Sequence, residues 1–280
     1  MGLTFDRLPG NFGVEVRDID IPSLADGDVD ALLQELYTNR FIVLRAGELS
    51  KKAFITFSRR VGNPILLSIY TDDQYPEIST LTNVGIDTEK EERGAAHWHS
   101  DQSFKQDVSS VTMLYSVEAP EFRGETQFCD MVAAYQTLPD ETQTQIDELI
   151  VEHRHGVSIS ARPGDHTPVP PEGWDQSQKV YHPLVRVHPV TGEKTLYAIA
   201  GTCQGVKGME QPVAETLLKD LGDHAFQTRF ITQHKHTPHD LVLWDNATTM
   251  HSATPIAAAT GPHDTRVIHR ISVRDYPALF

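Results

Sequence analysis

Cysteine is nearly absent. Cys129 and Cys203 are the only two in 280 residues, too few for a disulfide framework at this size and in keeping with inert thiols in a reducing compartment. Positive charge is also short: 24 Lys and Arg stand against 39 Asp and Glu, a formal net charge of −15. No uncompensated basic face is therefore expected to release counterions from phosphate, which argues against nucleic acid as a partner. No apolar run approaches the roughly 20 residues that cross a bilayer. The opening Met1 to Asp6 has no basic segment leading into an apolar one, and Asp6 stands where a myristoylation signal needs Ser or Thr. A cytoplasmic location without membrane contact is the expectation.

What is present describes an ordinary globular chain, 39% hydrophobic and 22% charged with no low-complexity tract. β-rich barrels often reach this length as one unit, so one domain over residues 1–280 is expected. The pattern predicts a strand over Phe12 to Ile19, a helix over Asp28 to Tyr37 with Val29, Leu32, Leu33 and Leu36 on one face, and a buried strand at Phe41 to Leu44. Ser50 is placed to cap a helix running through Arg60. Val111 to Val117 and Glu125 to Cys129 read as strands, and Met131 to Leu138 and Glu141 to Ile150 as helices divided by Pro139. The Pro-, Gly- and Asp-rich stretch 160–178 has no period and reads as a lid loop. Tyr181 to His188 and Lys194 to Ala200 form a predicted hairpin, Gln211 to Leu221 a helix, and Arg229 to Gln233, Asp240 to Trp244 and Arg266 to Val273 three last strands. Many short strands with a few helices outside them predict a mainly β fold, a jelly-roll (double-stranded β-helix) barrel with flanking helices.

His99 and Asp101 are two residues apart, so on an extended segment both side chains reach one side. A lone His-x-Asp is weak. His251, following Leu241 to Trp244 and the turn at Asp245-Asn246, makes the set informative: two imidazoles and one carboxylate leave positions open on an octahedral ion, which suits iron(II) that takes a chelating co-substrate and O2. A closed zinc site wants four protein ligands. His153, His155, His234, His236 and His239 read as ordinary surface or strand histidines, with a second metal cluster at His234, His236 and His239 the minor alternative.

Four spaced motifs occur in order: Trp98-His99-Ser100-Asp101-Gln102-Ser103-Phe104, Gly124-Glu125-Thr126, Leu243-Trp244-Asp245-Asn246 leading to His251, and Arg266-Val267-Ile268-His269-Arg270. Together they resemble the taurine dioxygenase and 2,4-dichlorophenoxyacetate dioxygenase family over nearly the whole chain. The resemblance implies His99, Asp101 and His251 as catalytic iron(II) ligands, Thr126 and Arg266 on the distal carboxylate of 2-oxoglutarate, O2 as second co-substrate, and Arg270 on the acidic head of a small-molecule substrate. A guanidinium does offer a carboxylate two parallel charge-assisted hydrogen bonds. Tyr70 matches the substrate-binding His of the taurine enzymes, a departure that points away from taurine, and Ala95 stands where they carry an Asn near the co-substrate, so no such contact is assigned. Phe128 to Tyr135 followed by Leu138-Pro139 is similar to the phenoxyacetate branch, which implies an aryloxyalkanoate-like carboxylate, hydroxylated or cleaved, with succinate and CO2 released. A biosynthetic hydroxylase or desaturase would share these motifs. A metal-dependent hydrolase and a non-catalytic binding protein are the rivals from other classes, and a homo-oligomer is left open.

Overall fold

The computed structural model describes residues 2–67, 71–85, 96–156, 158–162, 165 and 178–276. Its elements in chain order are β1 (Asp6–Arg7), β2 (Val14–Ile19), α1 (Asp26–Asn39), β3 (Phe41–Ala46), α2 (Lys51–Val61), β4 (Asn63–Pro64), β5 (Ser79–Thr82), β6 (Val111–Glu118), β7 (Thr126–Asp130), α3 (Met131–Gln136), α4 (Asp140–Ile146) and β8 (Ile150–His153). There follow β9 (Val180–Pro183), β10 (Val185–Val187), β11 (Lys194–Leu196), β12 (Cys203–Val206), α5 (Gln211–Ala225), β13 (Ile231–His234), β14 (Asp240–Asp245), β15 (Thr249–Ala253) and β16 (Val267–Arg274).

The unbroken apolar run Phe41 to Leu44 is what a strand buried on both faces requires, and β3 lies inside the large sheet, whose order is β1-β2-β3-β14-β6-β16-β4 with β5 also on β16. Cross-strand partners share a face. Val43, Val242, Leu114 and Arg270 are in register across β3, β14, β6 and β16, as are Phe41, Trp244, Thr112 and Ser272. The alternate residues Ile42, Leu44, Leu241, Leu243, Met113, Tyr115, Ile271 and Val273 form the other face, covered by Val29, Leu32, Leu33 and Leu36 of α1 and Phe54, Ile55 and Phe57 of α2. Burying each such side chain contributes roughly 1.5–3 kcal/mol. Ser50 caps α2 as expected, accepting a hydrogen bond from the Ala53 amide.

A second sheet, β13-β7-β15, closes the barrel. Thr232, Phe128 and His251 are in register across it, as are His234, Thr126 and Ala253. Phe128 stacks on Phe41 with ring centroids 4.5 Å apart, joining a core of Phe41, Val43, Leu114, Val242, Trp244 and Ile268 between the sheets. The back of the small sheet, through Cys129 and Met250, packs on α3 and α5. This is the jelly roll the pattern predicted, helices outside and polar residues gathered within. Cys129 and Cys203 are both buried and unpaired. No helix of the described residues is long and apolar enough to cross a membrane.

Several boundaries differ from expectation. The helix predicted to reach Ile150 stops at Ile146 because the β-branched Ile150-Val151 pair is taken into β8, against Pro183 and His182 of β9. The strand predicted over Tyr181 to His188 breaks at Leu184, which is fully buried and donates its amide to Leu149. The first part of Arg229 to Gln233 is a 3-10 turn, and β12 and β15 have no periodic signal. The proposed lid, 160–178, lies mostly outside the described residues, as do Tyr70 and Ala95.

Two buried histidines make stability acid-sensitive. His153 has its Nε2 enclosed and unbonded, and burial, with His182 beside it, pushes its pKa down to about 3. Burial, then His234 and the Arg266 guanidinium, hold His236 well below the ordinary value. In the unfolded chain both titrate near 6.5. As pH falls below that, the unfolded state takes up protons first, so stability present above pH about 6.5 is lost on acidification. Each contributes a slope of up to about 1.4 kcal/mol per pH unit. Urea midpoints measured at pH 7.5, 6.5, 5.5 and 4.5 are expected to fall steadily below 6.5; a midpoint constant down to 4.5 contradicts neutral burial of these rings.

Candidate active site

His99 and His251 face each other across an isolated β-bridge, each donating its amide to the other's carbonyl, at 3.0 and 2.9 Å. Their relative position is thus set by main chain rather than by side-chain packing. Their Nε2 atoms lie 3.9 and 3.8 Å from one oxygen, Asp101 Oδ1, and the three ligand atoms all fall within 4.8 Å of one another. His99 Nδ1 is 2.9 Å from the His97 carbonyl; it must donate there, which leaves the Nε2 lone pair facing the centre. Burial first, then the neighbouring His251, lowers the His99 pKa to about 3, and burial lowers that of His251 to about 4. Both rings are neutral donors at pH 7. Burial opposes ionisation of Asp101, but Arg270 and the two imidazoles outweigh it and hold the carboxyl below the ordinary range.

The three candidate ligands are delivered by two devices. The first is the loop after residue 96, which Trp98 anchors by stacking on Phe226 with rings 4.9 Å apart and nearly parallel. Gly201, at φ +82°, passes so close that a Cβ there would lie 2.8 Å from His99 Cβ. The second is the turn between β14 and β15, where Asp245 accepts from the Ala247 amide at 3.0 Å and from Tyr276 at 3.1 Å. His188 Nδ1 accepts from the Thr191 amide, so its Nε2 carries the proton that faces Asp245 Oδ2 at 3.2 Å. Asn246 then ties loop to sheet: its Oδ1 accepts from Trp244 Nε1 and the Asp101 amide, and its Nδ2 donates to Ser109 and Thr112. Thr112 in turn donates to Asp101 Oδ2 at 2.6 Å, leaving Oδ1 for the centre.

Thr126 and Arg266 share a neighbour, His236, whose Nε2 lies 2.9 Å from Thr126 Oγ1 and which feels the Arg266 charge. Thr126 stands on β7 two residues from Phe128, the cross-strand partner of His251. Arg266 lies just before β16, its amide bonded to Asn83 Oδ1 at 2.7 Å, while Asn83 Nδ2 donates to the carbonyls of Ala257 and Asp264. Its Nε is enclosed and unbonded, and among the described residues no carboxylate pairs with it. Burial pushes its pKa down to about 10, still cationic at pH 7. Gly124, at φ +74°, takes a conformation that L side chains rarely adopt, and a Cβ there would lie a tight 3.1 Å from Pro120. Arg270 places Nη2 2.7 Å from Asp101 Oδ1 and its side chain is 21% exposed, so its charge borders both the ligand set and the space before it.

Two imidazoles and a carboxylate converging from one side fit an octahedral iron(II) with positions left for other ligands, and a buried cation with no carboxylate of its own fits an organic acid. The family model described as taurine catabolism dioxygenase TauD, TfdA family matches residues 4–272. The chain belongs to this family. The alpha-ketoglutarate-dependent 2,4-dichlorophenoxyacetate dioxygenase of Cupriavidus pinatubonensis is 32% identical over 276 residues, covering 90% of this chain and 92% of the relative. Pentalenolactone F synthase of Streptomyces arenae is 31% identical over 274 residues, with 90% of each covered. The solved structure of AAD-2 in complex with Mn(II) and N-oxalylglycine is 26% identical and matches all of both chains at a TM-score of 0.79. As a TauD/TfdA-family member the protein is an oxidoreductase, a dioxygenase dependent on iron(II), 2-oxoglutarate and O2.

Within this TauD/TfdA-family chain the structure brings together His99, Asp101, His251 and Arg270, and it groups Thr126 and Arg266 around His236; Tyr70 falls outside the described residues. Sequence reasoning missed Thr112, Asn246, Asn83 and His236. Asn246 sits in a quoted motif, but only the turn shows that both ends of its amide are used. Thr112→Val keeps shape and removes the hydroxyl that holds Asp101 Oδ2. Supporting hydrogen bonds of this kind typically carry 10–100-fold in metal affinity, so Mn(II) titration is expected to show about a tenfold weaker site. Unchanged affinity with lowered thermal stability would make Thr112 structural only.

Proposed function

We propose that residues 1–280 act as one catalytic domain that oxidises a small organic acid, best an aryloxyalkanoate-like carboxylate, with His99, Asp101 and His251 holding the iron and Thr126 and Arg266 holding the distal carboxylate of 2-oxoglutarate. The observation that carries this reading is that one fold holds both a three-residue His/Asp/His cluster and, beside Thr126 and His236, an enclosed guanidinium that has no carboxylate partner among the described residues. Iron bound here supplies activation of O2, with 2-oxoglutarate as the reductant that leaves as succinate and CO2. The chain's own residues bind and orient. Arg266 gives the carboxylate a planar pair of donors and Thr126 a third. Phe128 and Trp244, with ring centroids 6.4 and 4.6 Å from His251, wall the centre with apolar surface and exclude water. Arg270 offers a substrate acid its opposite charge, and Tyr70 is assigned to the same substrate by its place in the family motif alone. Hydroxylation beside an ether oxygen would yield a hemiacetal that collapses to a phenol and an oxoacid. Two buried free thiols suit a cytoplasmic enzyme, and a net charge of −15 argues against nucleic acid as its substrate.

A second reading is biosynthetic oxidation of an amino-acid derivative or other metabolite, favoured by the 31% identity to a pentalenolactone F synthase. One assay separates them: succinate formation with iron(II), 2-oxoglutarate, ascorbate and O2 across aryloxyalkanoates, sulfonates, alkyl sulfates, acylated amino acids and lactone-bearing metabolites. Stimulation by aryloxyalkanoates, lost without iron or 2-oxoglutarate, is the expected result. Stimulation confined to the last two classes replaces it with the biosynthetic reading.

A further inference from the structure

Among the histidines with no sequence signal, His236 occupies a special place. It is buried, and each ring nitrogen meets one hydroxyl: Nε2 lies 2.9 Å from Thr126 Oγ1 and Nδ1 3.1 Å from Ser116 Oγ. A neutral imidazole has one N–H, and each hydroxyl has one proton. Only two consistent arrangements exist. If Nδ1 carries the proton it donates to Ser116, and Nε2 takes the Thr126 proton; Thr126 then turns lone pairs outward. If Nε2 carries it, Thr126 accepts from the ring, its own proton is free to point elsewhere, and Ser116 donates to Nδ1. An anion beside Thr126 and Arg266 selects the second arrangement, because the first sets lone pairs against a carboxylate.

Resting on the reading that Thr126 and Arg266 bind the distal carboxylate of 2-oxoglutarate, we infer that His236 is a positioning residue: its Nε2–H fixes the Thr126 hydroxyl as a donor to that carboxylate, with Ser116 holding the tautomer from behind. The chain Ser116 to His236 to Thr126 spans the barrel interior, from β6 in the large sheet to β7 in the small one. It thereby couples the orientation of one co-substrate donor to the packing of both sheets. Burial and the Arg266 guanidinium keep the ring neutral, as two-tautomer selection requires.

Two amide replacements separate this from simple space-filling. In His236→Gln the amide nitrogen reaches the place of Nε2 and still donates to Thr126; in His236→Asn it reaches only the place of Nδ1, and Thr126 loses its fixed partner. Calorimetric binding of 2-oxoglutarate to the Mn(II)-loaded protein without O2 is expected to weaken about fivefold to tenfold in His236→Asn and by less than about twofold in His236→Gln, with the KM for 2-oxoglutarate following and kcat nearly constant. Thr126→Val, which weakens binding about tenfold alone, is expected to add less than about twofold to His236→Asn. Equal effects of Gln and Asn, or full additivity with Thr126→Val, overturn the inference. If Thr126→Val and Arg266→Ala both leave 2-oxoglutarate affinity unchanged, the co-substrate assignment itself has failed. Thermal midpoints of each variant verify folding, and should His236→Asn not fold, Ser116→Ala combined with Thr126→Val supplies the same additivity test.

Discussion

His251→Ala is expected to fold, to bind iron(II) at least about 100-fold more weakly and to form no measurable succinate. Retention of the fold follows from the main chain, since the amide and carbonyl that pair position 251 with His99 survive the substitution. The side chain lies against Trp244 and Phe128, so its loss leaves a small cavity costing on the order of 1–2 kcal/mol, which a domain of this size tolerates. Metal binding has no such reserve. Changes that touch only the supports of a metal ligand cost 10–100-fold, and removing one of three protein ligands costs more than removing its support. His99→Ala is expected to behave alike, although it also removes the ring's hydrogen bond to the His97 carbonyl. Metal analysis after gel filtration, circular dichroism and succinate assay together decide the matter: stoichiometric iron and full turnover in either variant would place the metal elsewhere.

The fold was readable where local and tertiary demands coincide. The run Phe41 to Leu44 is a central strand and the stripe Val29, Leu32, Leu33, Leu36 is a buried helix face because one surface serves both propensity and packing. Legibility failed where tertiary pairing alone makes the strand. Thr249–Ala253 has no alternation, yet β15 carries His251 and exists because Asp245 turns the chain and β7 offers an edge. The convergence of His99, Asp101 and His251 was legible because metal-binding chemistry restricts candidates to few residue types at a spacing that survives folding. Their supports were not. Thr112 is one more buried β-strand threonine until its hydroxyl is found 2.6 Å from Asp101, and His236 one more histidine until both its nitrogens are found bonded. Such roles depend on where a single proton points, and a linear chain carries no trace of that.

Arg266 is where binding and stability are expected to move apart. Most buried guanidiniums are held by carboxylates, and removing them strands an opposite charge, with 3–5 kcal/mol lost. Arg40 is that kind here, paired with Asp130 at 3.2 Å and Glu193 at 2.9 Å. Arg266 has no such partner among the described residues, and burial alone perturbs it. Its desolvation is an uncompensated cost in the ligand-free protein, offset when a carboxylate arrives. Arg266→Ala is therefore expected to leave the thermal midpoint unchanged or raised, while 2-oxoglutarate binding weakens by about 2 kcal/mol or more, on the order of thirtyfold. At saturating co-substrate kcat is expected to be largely retained, because the interaction serves ground and transition states alike. Arg266→Lys keeps the charge but loses the fork of two parallel donors, so its affinity falls between the two. Arg40→Ala gives the opposite pattern, a lowered midpoint with co-substrate binding intact. If Arg266→Ala instead lost stability and kept its affinity for 2-oxoglutarate, the cation would be serving the fold, and the co-substrate carboxylate would have to be sought nearer Arg270.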